Sequence, residues 1–106
     1  MNITAQTASG GLTVFLEGEL DHHAAKRAMR AIEEQIDLEL PRRCRLDLRD
    51  LRFMDSSGIA VILKTKRRME EIGGDVTVIN IRPQTEKVIR AAGLERLIRI
   101  TALTGE

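Results

Sequence analysis

Residues 44–81 read CRLDLRDLRFMDSSGIAVILKTKRRMEEIGGDVTVINI, and the alternation inside this run decides the fold. Cys44, Leu46 and Leu48 alternate with Arg45, Asp47 and Arg49, which is the two-residue period of a strand. Leu51 to Asp55 reads as a connection. Ser56 or Ser57 then starts a helix running to about Ile72, with Ile59, Ile62, Leu63 and Met69 on one side. Lys66 falls in the middle of that stripe, so its stem is expected along apolar surface with the ammonium in water. Gly73-Gly74 ends the helix, because glycine tolerates the left-handed turn needed there. Val76, Val78, Ile79 and Ile81 make a short apolar strand fit for burial. A strand, a helix and a strand on short links favour parallel pairing with right-handed crossovers.

The flanks continue the pattern. Ile3 to Ala8 and Leu12 to Glu17 read as two strands joined by the turn Ser9-Gly10-Gly11, a hairpin, and Gly18 breaks the second strand. Asp21 is placed to cap a helix, since its carboxylate can accept from free N–H groups of the first turn. Ala25, Ala28, Met29, Ile32 and Ile36 follow at offsets 0, 3, 4, 7 and 11, an amphipathic helix that Pro41 ends. Downstream, Pro83 suits the first turn of a third helix ending before Gly93, and Ile98 and Ile100 make a last strand. The expected fold is α/β with order ββαβαβαβ. It is one domain over residues 1–106, with a mostly parallel sheet carrying one antiparallel hairpin strand.

Composition narrows the function. Leu, Ile, Val and Phe supply 30 of 106 residues, enough for a packed core. Phe15 and Phe53 are the only aromatic side chains of the Phe, Tyr and Trp group, and net charge is +1. A chain this neutral and ring-poor does not read as a nucleic-acid binder. The charge is uneven: residues 1–40 carry 3 basic and 7 acidic groups, residues 41–106 carry 14 and 9. Cys44 is the single cysteine and allows no internal disulfide. The start MNITAQTASG shows no signal-peptide pattern, and no apolar stretch approaches 18 residues. A cytoplasmic domain with no membrane contact is expected.

The residues that carry chemistry are few. Neither GxGxxG nor GxxxxGK[ST] occurs, so no cofactor and no enzymatic activity are expected. His22 and His23 are adjacent and so project about 100° apart on a helix; they read as solvent-facing residues, with no metal site. Cys44 reads as a small core residue, because no base is identifiable near it. Arg42, Arg43, Arg45, Arg49 and Arg52 read as a solvated strand edge, partly neutralised by Asp47 and Asp50, or as a face for an acidic partner or phosphate. The Asp55-Ser56-Ser57-Gly58 turn lies where a strand meets a helix, at the end of a parallel sheet that commonly holds function. A phosphate on a serine there would gain dipole stabilisation of roughly 0.3–1 kcal/mol and carry about −1.5 to −2 charge. Plain helix capping by Asp55 or Ser56 is the competing reading.

The run DLRDLRFMDSSGIAVIL, followed by IGGDV and AAGLERLI, resembles the STAS-domain family of anti-sigma factor antagonists. GELDHH, at residues 18–23, is similar to the sporulation branch of that family. The resemblance covers about residues 12–100 and implies a partner switch. The unmodified protein would bind an anti-sigma factor that is also a serine kinase, releasing a sigma factor, with sporulation sigma factor F the implied one. The kinase would end that binding by phosphorylating Ser56, and a PP2C-type phosphatase would reverse it. Ser57 is the neighbouring alternative. Asp21, His22, His23, Asp55, Ser57 and Gly58 are the implied partner-binding residues, with Gly58 allowing close approach of the partner or of the helix start. A STAS module of another system, in the general stress response or attached to a transporter, would be regulated at the same serine. Lys66 departs from the family, where an apolar or aromatic residue is natural.

Overall fold

The computed structural model describes residues 1–103, so the single-domain expectation over 1–106 runs three residues past it. Strand β1 (Asn2–Ala8) pairs antiparallel with β2 (Gly11–Leu20), and α1 (His22–Glu39) follows. Next come β3 (Arg43–Asp47), β4 (Leu51–Met54) and α2 (Ser56–Glu71). The chain continues with β5 (Asp75–Ile81), α3 (Pro83–Ala91), a 3₁₀ turn (Leu94–Arg96) and β6 (Arg99–Ala102). The sheet order is β1-β2-β3-β5-β6, and β4 pairs with β2; every pairing except β1 with β2 is parallel.

Two expectations about β2 and its neighbour are corrected together. Gly18 does not break the strand. It takes φ +113, a value that strains any other residue, and β2 continues through it to Leu20. Strand β2 divides between two partners, and its register with the second steps over Arg52. Gly11 to Phe15 face β3, whereas Gly18, Glu19 and Leu20 face Leu51, Phe53 and Met54. The stretch expected as a connection is therefore a sixth strand. It lacks the strand period, because Leu51 and Met54 are buried while Arg52 and Phe53 between them are exposed.

The helices bury one stripe each. In α1 the buried residues are Ala28, Met29, Ile32 and Ile36, with Ala25 half-buried beside them, as the offsets imply. In α2 the stripe is Gly58, Val61, Ile62, Thr65 and Met69. Leu63, expected inside, is 39% exposed. Thr65 takes a core position because its hydroxyl donates to the Val61 carbonyl at 2.8 Å, so burial leaves no donor unmet. Lys66 is half-buried, with its ammonium paired to Glu70. Helix α2 ends in a Schellman turn. Gly74 N–H donates to the Met69 carbonyl at 2.8 Å, Gly73 N–H to that of Glu70 at 3.1 Å, and Gly73 has φ +77.

The arginine run is not a strand edge. Its strand, β3, lies between β2 and β5. Arg42, Arg43 and Arg45 sit at the β3 start, and Arg49 and Arg52 beyond its other end. Nor does Asp47 neutralise them. It is buried, and its oxygens accept from the Arg49 backbone N–H and from Asn80 Nδ2, both at 3.0 Å. Cys44 is fully buried, and burial pushes its thiol from 9.0 up to about 12. It is protonated at neutral pH and acts as a core atom.

Candidate functional site

Strands β2 and β4 run parallel with Leu20 beside Met54, so Asp21 and Asp55 leave the sheet as neighbours. Both cap a helix in nearly the same extended conformation, Asp21 at φ −104, ψ −172 and Asp55 at φ −109, ψ −166. Asp21 Oδ1 accepts from the Ala24 N–H at 3.0 Å and Asp55 Oδ1 from the Ser57 N–H at 2.8 Å. The Asp55 N–H donates to the Leu20 carbonyl at 3.3 Å and ties the two turns together. Two helix N-termini, each partly positive, therefore start from one end of the sheet.

Ser56 is the first residue of α2 and is exposed. Ser57 is half-buried, with its amide held by Asp55. Gly58 is buried and turned inward. A Cβ there would lie 2.1 Å from Met54 Cγ, 2.5 Å from Met54 Sδ and 3.2 Å from Leu20 Cδ2. The close approach at Gly58 is thus between the helix start and the two strands beneath it.

His22 and His23 are both exposed, yet they meet. Their rings lie 5.9 Å apart, edge to face, and both line a groove between α1 and α2 that also contains Ser57. Adjacency on the first turn of the helix therefore does not keep the two rings apart. Asp21, His22, His23, Asp55, Ser56 and Ser57 thus gather at one end of the molecule. Among the described residues no group of three or more His, Cys, Asp or Glu is placed to hold a metal ion, and no helix is long and apolar enough to cross a membrane.

One residue at this site escapes the sequence. The Gln84 side chain, from the first turn of α3, accepts from the Met54 N–H at 3.0 Å and donates to the Met54 carbonyl at 3.1 Å. It does for β4 what a neighbouring strand would do, satisfying both backbone groups just ahead of Asp55. No local pattern announces a bond across 30 residues. Replacing Gln84 by alanine removes two hydrogen bonds and is expected to lower unfolding free energy by about 1–3 kcal/mol. Amide exchange should accelerate most at Met54. Unchanged exchange there would mean that water or another group holds the strand end equally well.

The whole arrangement has known counterparts. The model of the STAS domain matches residues 2–105. An anti-sigma F factor antagonist of Paenibacillus polymyxa is 32% identical over 100 residues, covering 94% of this chain and 86% of the relative. One from Lysinibacillus sphaericus is 34% identical over 83 residues, covering 78% of this chain and 71% of the relative. The solved structure of the anti-sigma factor antagonist SpoIIAA in its unphosphorylated form superposes with a TM-score of 0.80 at 27% identity, covering 93% of this chain and 87% of that one. With the family model spanning nearly every residue and a relative this similar along most of its length, the chain belongs to the STAS-domain family.

Proposed function

We propose that the chain is an anti-sigma factor antagonist, switched at Ser56, that acts in the cytoplasm by binding and not by catalysis. One observation carries the choice of residue: within the Asp55-Ser56-Ser57-Gly58 turn, Ser56 is exposed, Ser57 is half-buried and Gly58 is buried. An incoming kinase reaches the Ser56 hydroxyl without moving the helix. Similarity to proteins named as anti-sigma F factor antagonists supports an anti-sigma factor as the partner, and sporulation sigma factor F as the factor released.

The chemistry asked of this chain is small. Ser56 Oγ attacks the γ-phosphorus of ATP held by the kinase, the bond to ADP breaks, and the hydroxyl proton leaves to a base on the kinase. The product carries about −1.5 to −2 charge. That charge appears next to the capping carboxylate of Asp55, in a turn tied to that of Asp21, on the surface the partner covers. Bulk and like charge there oppose re-docking, while the α2 N-terminus keeps the phosphate tolerable to the fold. A PP2C-type phosphatase resets the switch by hydrolysing the phosphoserine.

Incubation with the anti-sigma factor kinase of the same organism and ATP should add one phosphate, located by mass spectrometry on Ser56 and missing from Ser56→Ala. Phosphate confined to Ser57, or none on the native chain, overturns the assignment.

A further inference from the structure

We propose that the groove between α1 and α2 docks an acidic amphipathic segment of the anti-sigma factor, so that the contact extends well beyond the serine turn. This rests on the partner-switch reading and adds to it the location and chemistry of a second contact.

The groove encloses about 650 Å³. Met29 and Val61, 8% and 2% exposed, form its apolar floor. Its rim is basic, with Lys26 and Arg30 on α1 and Lys64 on α2, all exposed. Among the described residues, Glu33 is the one acidic side chain lining it. Lys64 lies eight residues along α2 from Ser56, which is roughly 12 Å at 1.5 Å per residue.

The rim charges differ from the ion-paired cations of the helices, although among the described residues Arg27, Arg67 and Lys87 also lie outside any ion pair. Lys66, Arg68 and Arg90 each pair with a carboxylate. Among the described residues, Lys26, Arg30 and Lys64 form no ion pair. Lys26 and Arg30 also stand four apart on one helix face, an arrangement that destabilises an isolated helix through like-charge repulsion. Three cations outside any ion pair, against the single carboxylate of Glu33, surround an apolar trough and match a partner with an apolar ridge flanked by Asp and Glu, which is helix-in-groove recognition. Such a partner would relieve the repulsion on binding, and the field of the rim would steer its approach.

The test uses the whole protein and the whole anti-sigma factor of the same organism. The triple variant K26E/R30E/K64E should raise Kd by about 30-fold or more and remove the salt dependence of the association rate. A control variant, K87E/R96E/R99E, changes net charge equally at exposed sites on α3 and after it, and should bind as the native chain does. If the reversal variant fails a circular dichroism check, K26Q/R30Q/K64Q should raise Kd by about 5-fold or more in its place. Native protein that binds while the groove variant binds within about twofold of it overturns the groove and leaves the partner-switch reading standing. Equal loss in the control variant also overturns the groove, since overall charge would then be responsible. Native protein that shows no binding overturns both.

Discussion

Gly58→Ala is expected to lower the unfolding free energy by about 1–2 kcal/mol, with the loss read from the denaturation midpoint. In most helix interiors this change stabilises, by about 0.8–1 kcal/mol from backbone propensity alone. Here the new methyl would sit 2.1 Å from Met54 Cγ, a carbon near the root of its side chain. Met54 is fully buried and its backbone is clamped on one edge by Gln84, so it has no free direction in which to yield. Leu20, also fully buried, closes the other side at 3.2 Å. Contacts this short place the overpacking in the upper part of its range of about 1–3 kcal/mol, so it outweighs the propensity gain. The contact predicts a coupling as well: in a Met54→Ala background, Gly58→Ala should cost less by about 0.5–3 kcal/mol. If Gly58→Ala proves stabilising in the native background, the helix start is looser than the geometry allows.

The same region explains what the sequence does and does not make readable. Helix α1 is legible because propensity, capping by Asp21 and an apolar stripe at 0, 3, 4, 7 and 11 all agree. Helix α2 follows the same offsets from Gly58, but two of its five stripe residues are Gly and Thr, so a count of apolar residues places the face too close to Leu63. Strand β4 is short, and its exposed pair Arg52-Phe53 hides the period. It exists because the end of β2, from Gly18 to Leu20, pairs with it and Gln84 holds the backbone of Met54, and neither partner can be read from residues 51–54 themselves. The serine turn is legible as a motif through Asp55-Ser56-Ser57-Gly58, yet its juxtaposition with Asp21 depends on β2 pairing with β4. The basic rim carries a readable signal in the four-residue step from Lys26 to Arg30; only the packing of α1 on α2 brings Lys64 to the same groove.

Ser56→Asp is expected to weaken binding to the anti-sigma factor at least about tenfold while leaving the fold intact. The two halves of this result have separate causes. A carboxylate at the first position of a 16-residue helix gains about 0.3–1 kcal/mol from the helix dipole. The neighbouring Asp55 opposes it, but Ser56 is exposed and water screens the pair. The unfolding midpoint should therefore shift by no more than the equivalent of about 1 kcal/mol, with an unchanged far-ultraviolet spectrum. Binding responds differently because docking would desolvate that end of the molecule, where Asp21 and Asp55 already hold two carboxylates. A third negative charge then meets a partner shaped for the neutral hydroxyl, and a buried charge without a partner is costly. Ser56→Ala separates charge from side-chain loss: it should bind within about threefold of the native chain. Unfolding of Ser56→Asp would show that the switch is global, and native-like affinity in a folded Ser56→Asp would show that charge at this position does not control docking.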